Sequence, residues 1–322
     1  MTDNSHAPGM DPTTRAFLDQ LIASGVPPIE QQSVEQARRA SIALQHVPIP
    51  IRPAEIVDCL LPVGPSNQVR VRIVRPIDHR GTLPAVIFFH GGGWVLNDAD
   101  AYKHLLPEIA HSAEVAVIFI EYSRSPEVRY PVAIEECYAA TKWVAENCHE
   151  LGVDGSRLAV KGDSAGGNIC AAVTLLAQER RAPQITYQVL LYPVTDAGLD
   201  TGSYREFAAG PFLTLPAMQW FWDHYLTDTT KRSQSTVSPL RAPRELLSTL
   251  PPTLVLTAEF DVLRDDGEFF ARHLIDAGVA CTAIRYMGTI HGFISLHALI
   301  GTPTARYALA QINHSLRSAL AK

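Results

Sequence analysis

Ser164 lies at the centre of the most informative string in the chain, Lys161-Gly-Asp-Ser-Ala-Gly-Gly-Asn168. The motif Gly162-x-Ser164-x-Gly166 follows a short apolar run and opens a stretch of small residues that reads as a helix. In that strand–turn–helix setting the pentapeptide is a nucleophile elbow. The turn is tight, only glycine fits beside it, and the serine oxygen is held at the tip of a sheet. Amides at the start of the following helix then face any negative charge that develops there. A pentapeptide of this form arises by chance in about one chain in ten of this length, so the setting carries the reading.

A serine hydroxyl is a weak nucleophile. It needs a base within hydrogen-bond reach and an acid to orient that base. In an α/β hydrolase sheet the chain order is Ser, then Asp or Glu, then His. Asp261 ends the run Leu254-Val-Leu-Thr-Ala-Glu-Phe-Asp261, and His291 follows a run ending at Tyr286. Both are expected on loops at carboxyl ends of strands. Glu259 is expected to point elsewhere, and Asp265 and Asp266 read as the start of a helix over 267–276. His297 reads as a structural residue within a helix. Upstream stands His90-Gly91-Gly92-Gly93-Trp94. Three glycines let backbone N–H groups approach a substrate oxygen with no Cβ in the way, as an oxyanion hole requires. A phosphate-cradling loop would need Lys and Ser or Thr after the glycines, where Trp94 and Val95 stand. His90 lies at the wrong point in the chain order for the base and reads as support for the glycine loop. Asp163 reads as an orienting or hydrogen-bonding residue.

The elements that must position these residues alternate. Two helices are expected over 13–23 and 33–44, and a hairpin-like strand pair over 56–61 and 69–74. From Pro84 onward, strands are expected at 85–89, 115–120, 158–160, 189–191, 254–257 and 283–286. Helices fall between or after them, at 131–147, 168–178 and 304–320. About eight strands alternating with helices imply an α/β fold with a mainly parallel sheet covered on both faces. Residues 198–245 break the alternation with an aromatic helical stretch and form a candidate lid over the carboxyl ends of the sheet. There Trp220, Phe221, Trp222 and Tyr225 recur at helical spacing, which favours core packing over a ligand wall.

Composition narrows the function class. The chain has 322 residues, 47% hydrophobic and 19% charged, enough apolar material for a packed core. Lys and Arg number 27 against 33 Asp and Glu, a formal charge of −6. That argues against a basic nucleic-acid binder. No apolar run approaches the roughly 18–20 residues of a membrane span. No basic-then-apolar leader is visible, so a cytoplasmic location is expected. The five cysteines are odd in number and read as reduced, mostly buried thiols. No metal-ligand or dinucleotide motif appears, so no metal and no cofactor is implied.

Together these strings resemble the hormone-sensitive-lipase-like branch of the α/β hydrolases, the bacterial family IV carboxylesterases. The resemblance rests on His90-Gly-Gly-Gly-Trp94, Gly162-Asp-Ser-Ala-Gly-Gly-Asn168, Tyr192-Pro193 with Asp196, Phe260-Asp261-x-Leu-Arg-Asp-Asp-Gly267 and His291-Gly-Phe293. It implies an eight-stranded, mostly parallel sheet with a helical cap. The cap would come from residues 1–50 and 198–245, and the hydrolase core from 51–197 and 246–322. It also implies Ser164 as nucleophile, His291 as base and Asp261 as its orienter. The oxyanion hole would comprise Gly91, Gly92, Gly93 and Ala165, with donors on Gly92, Gly93 and Ala165 and Gly91 shaping the loop. A serine carboxylesterase for small short-acyl esters is expected, with a homodimer left open. A hydrolase-like hormone receptor would have lost a triad residue, whereas all three positions are filled here. A peptidase of this fold often carries a large extra domain for which the chain has no room. The segment Tyr122-Ser-Arg-Ser-Pro-Glu127 matches the family pattern at Tyr122, Pro126 and Glu127 and departs from it in the middle, which bears on packing near the glycine loop.

Overall fold

The computed structural model describes residues 7–77 and 79–321. The chain opens with α1 (Pro12–Ala23) and α2 (Val34–Leu44), followed by β1 (Ala54–Leu61), β2 (Val69–Pro76) and β3 (Leu83–Phe89). Then come α3 (Leu105–Ala113), β4 (Ala116–Glu121), α4 (Val132–Glu146), β5 (Val153–Asp163), α5 (Ala165–Glu179) and β6 (Tyr187–Leu191). The remainder is α6 (Gly202–Glu206), α7 (Leu215–Tyr225), α8 (Arg244–Leu247), β7 (Thr253–Phe260), α9 (Arg264–Asp276), β8 (Cys281–Ile290) and α10 (Pro303–Ala319).

The eight strands form one sheet in the order β1-β2-β4-β3-β5-β6-β7-β8. Strand β2 runs antiparallel to both β1 and β4, and every other pairing is parallel. Strand β3 is buried along its whole length, and β4 along all but its last residue, because helices cover both faces. Their continuous Val, Ile and Phe runs are the sequence form of that double burial.

Local chemistry starts the N-terminal helices. Asp11 caps α1 by accepting from the Thr13 and Thr14 amides at 2.9 and 3.1 Å, with Pro12 in the first turn. Ser33 and Gln36 form a reciprocal capping box on α2.

The structure departs from the sequence expectation in several places, among them β8, which spans Cys281–Ile290 against the expected 283–286. Strand β5 covers 153–163, well beyond the 158–160 run, because Lys161 hides its register. That lysine is fully buried, with Nζ 3.7 Å from the centre of the Phe88 ring. Helix α3, the crossover between β3 and β4, was not anticipated. His297 lies among turns, not in a helix, because Gly292 and the residues after it close successive turns after β8. Residues 198–245 contain no strand, as their pattern implied. All five cysteines are free, but only Cys137 and Cys170 are buried, while Cys59, Cys148 and Cys281 are partly exposed.

Candidate active site

Strand β5 runs into Ser164, whose backbone is forced to φ 57° and ψ −122°. That region is costly for a residue with a Cβ and persists only where the surroundings impose it. Here the flanking glycines impose it. A Cβ on Gly162 would stand 2.0 Å from the Gly166 carbonyl oxygen, and one on Gly166 would stand 2.1 Å from that of Phe89. The Ser164 amide donates to Leu191 O at 2.9 Å, which ties the turn to β6.

Two further side chains reach this serine from distant points in the chain. His291 Nε2 is 2.9 Å from Ser164 Oγ, and His291 Nδ1 is 2.7 Å from Asp261 Oδ2. Asp261 is fully buried, and its other oxygen accepts the Leu263 amide at 2.9 Å. With the Asp261 oxygen accepting at Nδ1, the imidazole hydrogen sits on that nitrogen and Nε2 turns its lone pair toward Oγ. Tyr192 packs edge-on to the imidazole, with ring centres 4.8 Å apart.

The rival acids point elsewhere. Glu259 accepts the Gly288 amide at 2.7 Å. Asp265 accepts from Ser203 N. Asp266 is buried and accepts the Thr195 and Asp196 amides, binding the loop after β6 to α9. Burial raises the Asp266 carboxyl far above the ordinary range.

The glycine loop follows β3 and packs against the serine, since a Cβ on Gly91 would lie 3.1 Å from Ser164 Cβ. Its own amide is occupied. Gly91 N donates to Tyr102 Oη at 2.9 Å and to Asp163 Oδ1 at 3.2 Å, while Tyr102 donates to Asp163 Oδ2 at 2.8 Å. The Gly91 amide is thus engaged within the protein, in the loop it helps to shape. The amides of Gly92, Gly93 and Ala165 donate to no protein acceptor among the described residues. Burial raises the Asp163 carboxyl, opposed by the nearby Lys161 and the Tyr102 hydroxyl.

His90 is the loop's inner support. Its ring stacks on Tyr122 at 4.1 Å between centres and on Phe119 at 5.3 Å, with Nδ1 2.8 Å from Gly91 O. Burial pushes its pKa down to about 3, so the ring is neutral near pH 7. The segment that departs from the family pattern braces the same loop. Tyr122 donates to His90 O, and Arg124 donates to Asn97 O at 2.7 Å.

Aromatic side chains of α7 cover the loop. Trp94 stacks on Tyr225 at 4.2 Å and tilts against Trp222 at 4.6 Å. The Phe221 ring occupies the space where Gly93 would carry a Cβ, only 2.0 Å from that position. Trp222 and Tyr225 are fully buried, so their spacing reports packing onto Trp94.

Helix α2 supplies an outer brace that sequence reasoning missed. Arg38, Ser41 and Gln45 lie along one side of it and its C-cap. Arg38 donates to Val95 O at 2.9 Å and Ser125 O at 3.0 Å, and pairs with Glu127 at 2.6 Å. Ser41 donates to Asn97 Oδ1 at 2.7 Å, and the Asn97 amide reaches Gly91 O at 3.3 Å. Gln45 exchanges hydrogen bonds with Ser295 O and the His297 amide, beyond His291. A polar face at positions i, i+3 and i+7 was the only signal, and it looks like any solvated helix face.

Comparison with known proteins places this geometry. The alpha/beta hydrolase fold family matches residues 86–295. Carboxylesterase NlhH of Mycobacterium tuberculosis is 33% identical over 314 residues, covering 97% of each chain. Carboxylic ester hydrolase LipN of the same organism is 37% identical over 305 residues, covering 92% of this chain and 80% of its own. The chain belongs to the hormone-sensitive-lipase-like carboxylesterases of the α/β-hydrolase superfamily. Among solved structures, a thermostable esterase from Pseudomonas putida ECU1011 is 44% identical, with a TM-score of 0.96 over 98% of this chain and 99% of that one. This family member is accordingly a carboxylic ester hydrolase. No helix among the described residues is long and apolar enough to cross a membrane.

Proposed function

We propose that this carboxylesterase hydrolyses small, short-acyl esters through an acyl-enzyme formed on Ser164. The observation that carries the reading is the unbroken hydrogen-bonded chain from Ser164 Oγ through His291 to buried Asp261. Ser164 Oγ attacks the ester carbonyl carbon while His291 Nε2 takes its proton. The tetrahedral intermediate collapses, the C–O bond to the alcohol breaks, and His291 returns the proton to the leaving alkoxide. Water then attacks the acyl-enzyme with His291 as base, releasing the acid and restoring Ser164. The amides of Gly92, Gly93 and Ala165 serve as oxyanion donors in both halves.

Short acyl chains are supported by the aromatic packing on the glycine loop, where Phe221 fills the space beside Gly93. A relative in Pseudomonas putida, 33% identical over 302 residues, is named ethyl acetate hydrolase. Residues 1–50 and 198–245 form the cap in this reading. Its support is the contact of Phe17 with Phe212, ring centres 5.8 Å apart, and the seating of α7 on Trp94.

The test is a p-nitrophenyl ester series from acetate to palmitate with wild type and Ser164→Ala in parallel. Wild-type kcat/KM is expected to peak at short chains, and the variant to lose about four orders of magnitude or more in kcat. Full activity in Ser164→Ala would overturn the mechanism. A profile that stays flat out to palmitate would overturn the short-acyl preference alone.

A further inference from the structure

A cavity of about 680 Å³ opens between the segment leading into β1, α3 and α10. Neither Ser164 nor Asp261 nor His291 lines it. One wall is apolar, made by Ile51, Ile294, Ala305 and Leu309. The rest carries Arg52, Arg306 and Arg317 against a single acid, Glu108, which lies 3.8 Å from Arg52. The wall is therefore net positive in a chain whose formal charge is −6.

Two polar side chains on this wall are buried without partners. The His104 side chain belongs to a residue only 7% exposed, and neither ring nitrogen makes a hydrogen bond. Asn313 is 5% exposed, and its Oδ1 also lacks a partner. A buried polar atom left unpaired is costly, and native structures tolerate few of them. The unpaired His104 ring, below a cationic rim and beside an aliphatic face, marks a built site for an acceptor, while the Asn313 oxygen is itself an acceptor. His104 is kept neutral, its pKa pushed down to about 3 by burial with His297 beside it, so one ring N–H is available as a donor.

We propose that this cavity binds a small amphipathic carboxylate. The carboxylate is held by Arg306 and the His104 ring, and the alkyl chain lies on Ile294 and Leu309. Arg52 faces Glu108 and Arg317 donates to Ser112 O, so the anion's partners are the buried His104 donor and the Arg306 guanidinium, which an uncharged apolar ligand cannot satisfy. Ester hydrolysis releases molecules of this class, but the site stands on its own residues and holds whether or not Ser164 is the nucleophile.

The probe is sodium octanoate, titrated calorimetrically into wild type, Arg306→Glu and Ala310→Trp. Arg306 and Ala310 are exposed positions on the cavity wall, so both variants are expected to fold and to keep wild-type esterase activity. Wild type is expected to bind octanoate saturably below about 1 mM, octan-1-ol at least about tenfold more weakly, and both variants at least about tenfold more weakly. Absence of saturable binding at about 10 mM would overturn the proposal. So would equal affinity in wild type and both variants, which would place the octanoate elsewhere, the Ser164 pocket included.

Discussion

The turn at Ser164 and the loop from His90 to Asn97 touch each other, yet they are held in opposite ways. The turn is fixed by close-packed backbone, because the carbonyl of Gly166 leaves no room for a Cβ at Gly162 and that of Phe89, at the end of β3, leaves none at Gly166. The loop is fixed by side chains from other elements: Tyr102 and Asp163 on the Gly91 amide, Tyr122 and Phe119 around His90, Phe221 over Gly93, and Arg38 and Ser41 from α2. A local steric device is rigid and fails all at once. A posture held by many distant partners can be loosened one partner at a time, so its losses should be graded.

Gly162→Ala should break the first kind of hold outright. The added methyl meets backbone that has no room to retreat, so a loss of about 3 kcal/mol or more is expected, with esterase activity abolished. Urea unfolding alongside an activity assay checks this. A folded, active Gly162→Ala protein would show that the turn has slack and that the contrast is false.

Asp163→Asn should loosen the loop from the inside. It replaces the carboxyl acceptor shared by the Gly91 amide and the Tyr102 hydroxyl. We expect kcat to fall about 10- to 100-fold with KM changed by less than about twofold, because oxyanion donors act mainly on the transition state. A fall in KM-dependent binding with kcat intact would assign Asp163 to packing instead.

Arg38→Gln should give the smallest effect, since it removes only the outer brace. A drop in kcat of about two- to fivefold is expected, with stability lowered by at most about 1 kcal/mol, because more than half of the Glu127 side chain is exposed and screened. Arg38 holds the Glu127 carboxyl down to about 2 from the ordinary 4.5. The pair's contribution is therefore fully present above about pH 4.5 and is lost as pH falls through about 2. Thermal melts of the two proteins should differ at neutral pH and converge in acid. A constant offset across that range would remove the ion pair from the account.

The sequence by itself determined what short-range sterics and periodicity can determine. Two glycines two residues either side of Ser164, set between an apolar run and a small-residue helix, mark a backbone turn that excludes a Cβ. A short unbroken apolar run such as 85–89, alternating with helical segments, marks a strand buried on both faces. The order Ser164, Asp261, His291 could be ranked above Glu259 and His297 because strand ends, unlike helix interiors, face a common edge. Less was legible where a residue's partner lies far along the chain. Lys161 disguised the length of β5 because its ammonium lies over the Phe88 ring, which only folding brings near. The role of Gly91 in shaping the loop was legible, but not that Asp163, 72 residues away, accepts its amide. Arg38, Ser41 and Gln45 looked like a solvated helix face until α2 docked across the glycine loop and the segment after His291. Spacing reports which side of an element a residue occupies. What that side meets is set by the packing of whole elements, and only the tertiary structure decided that.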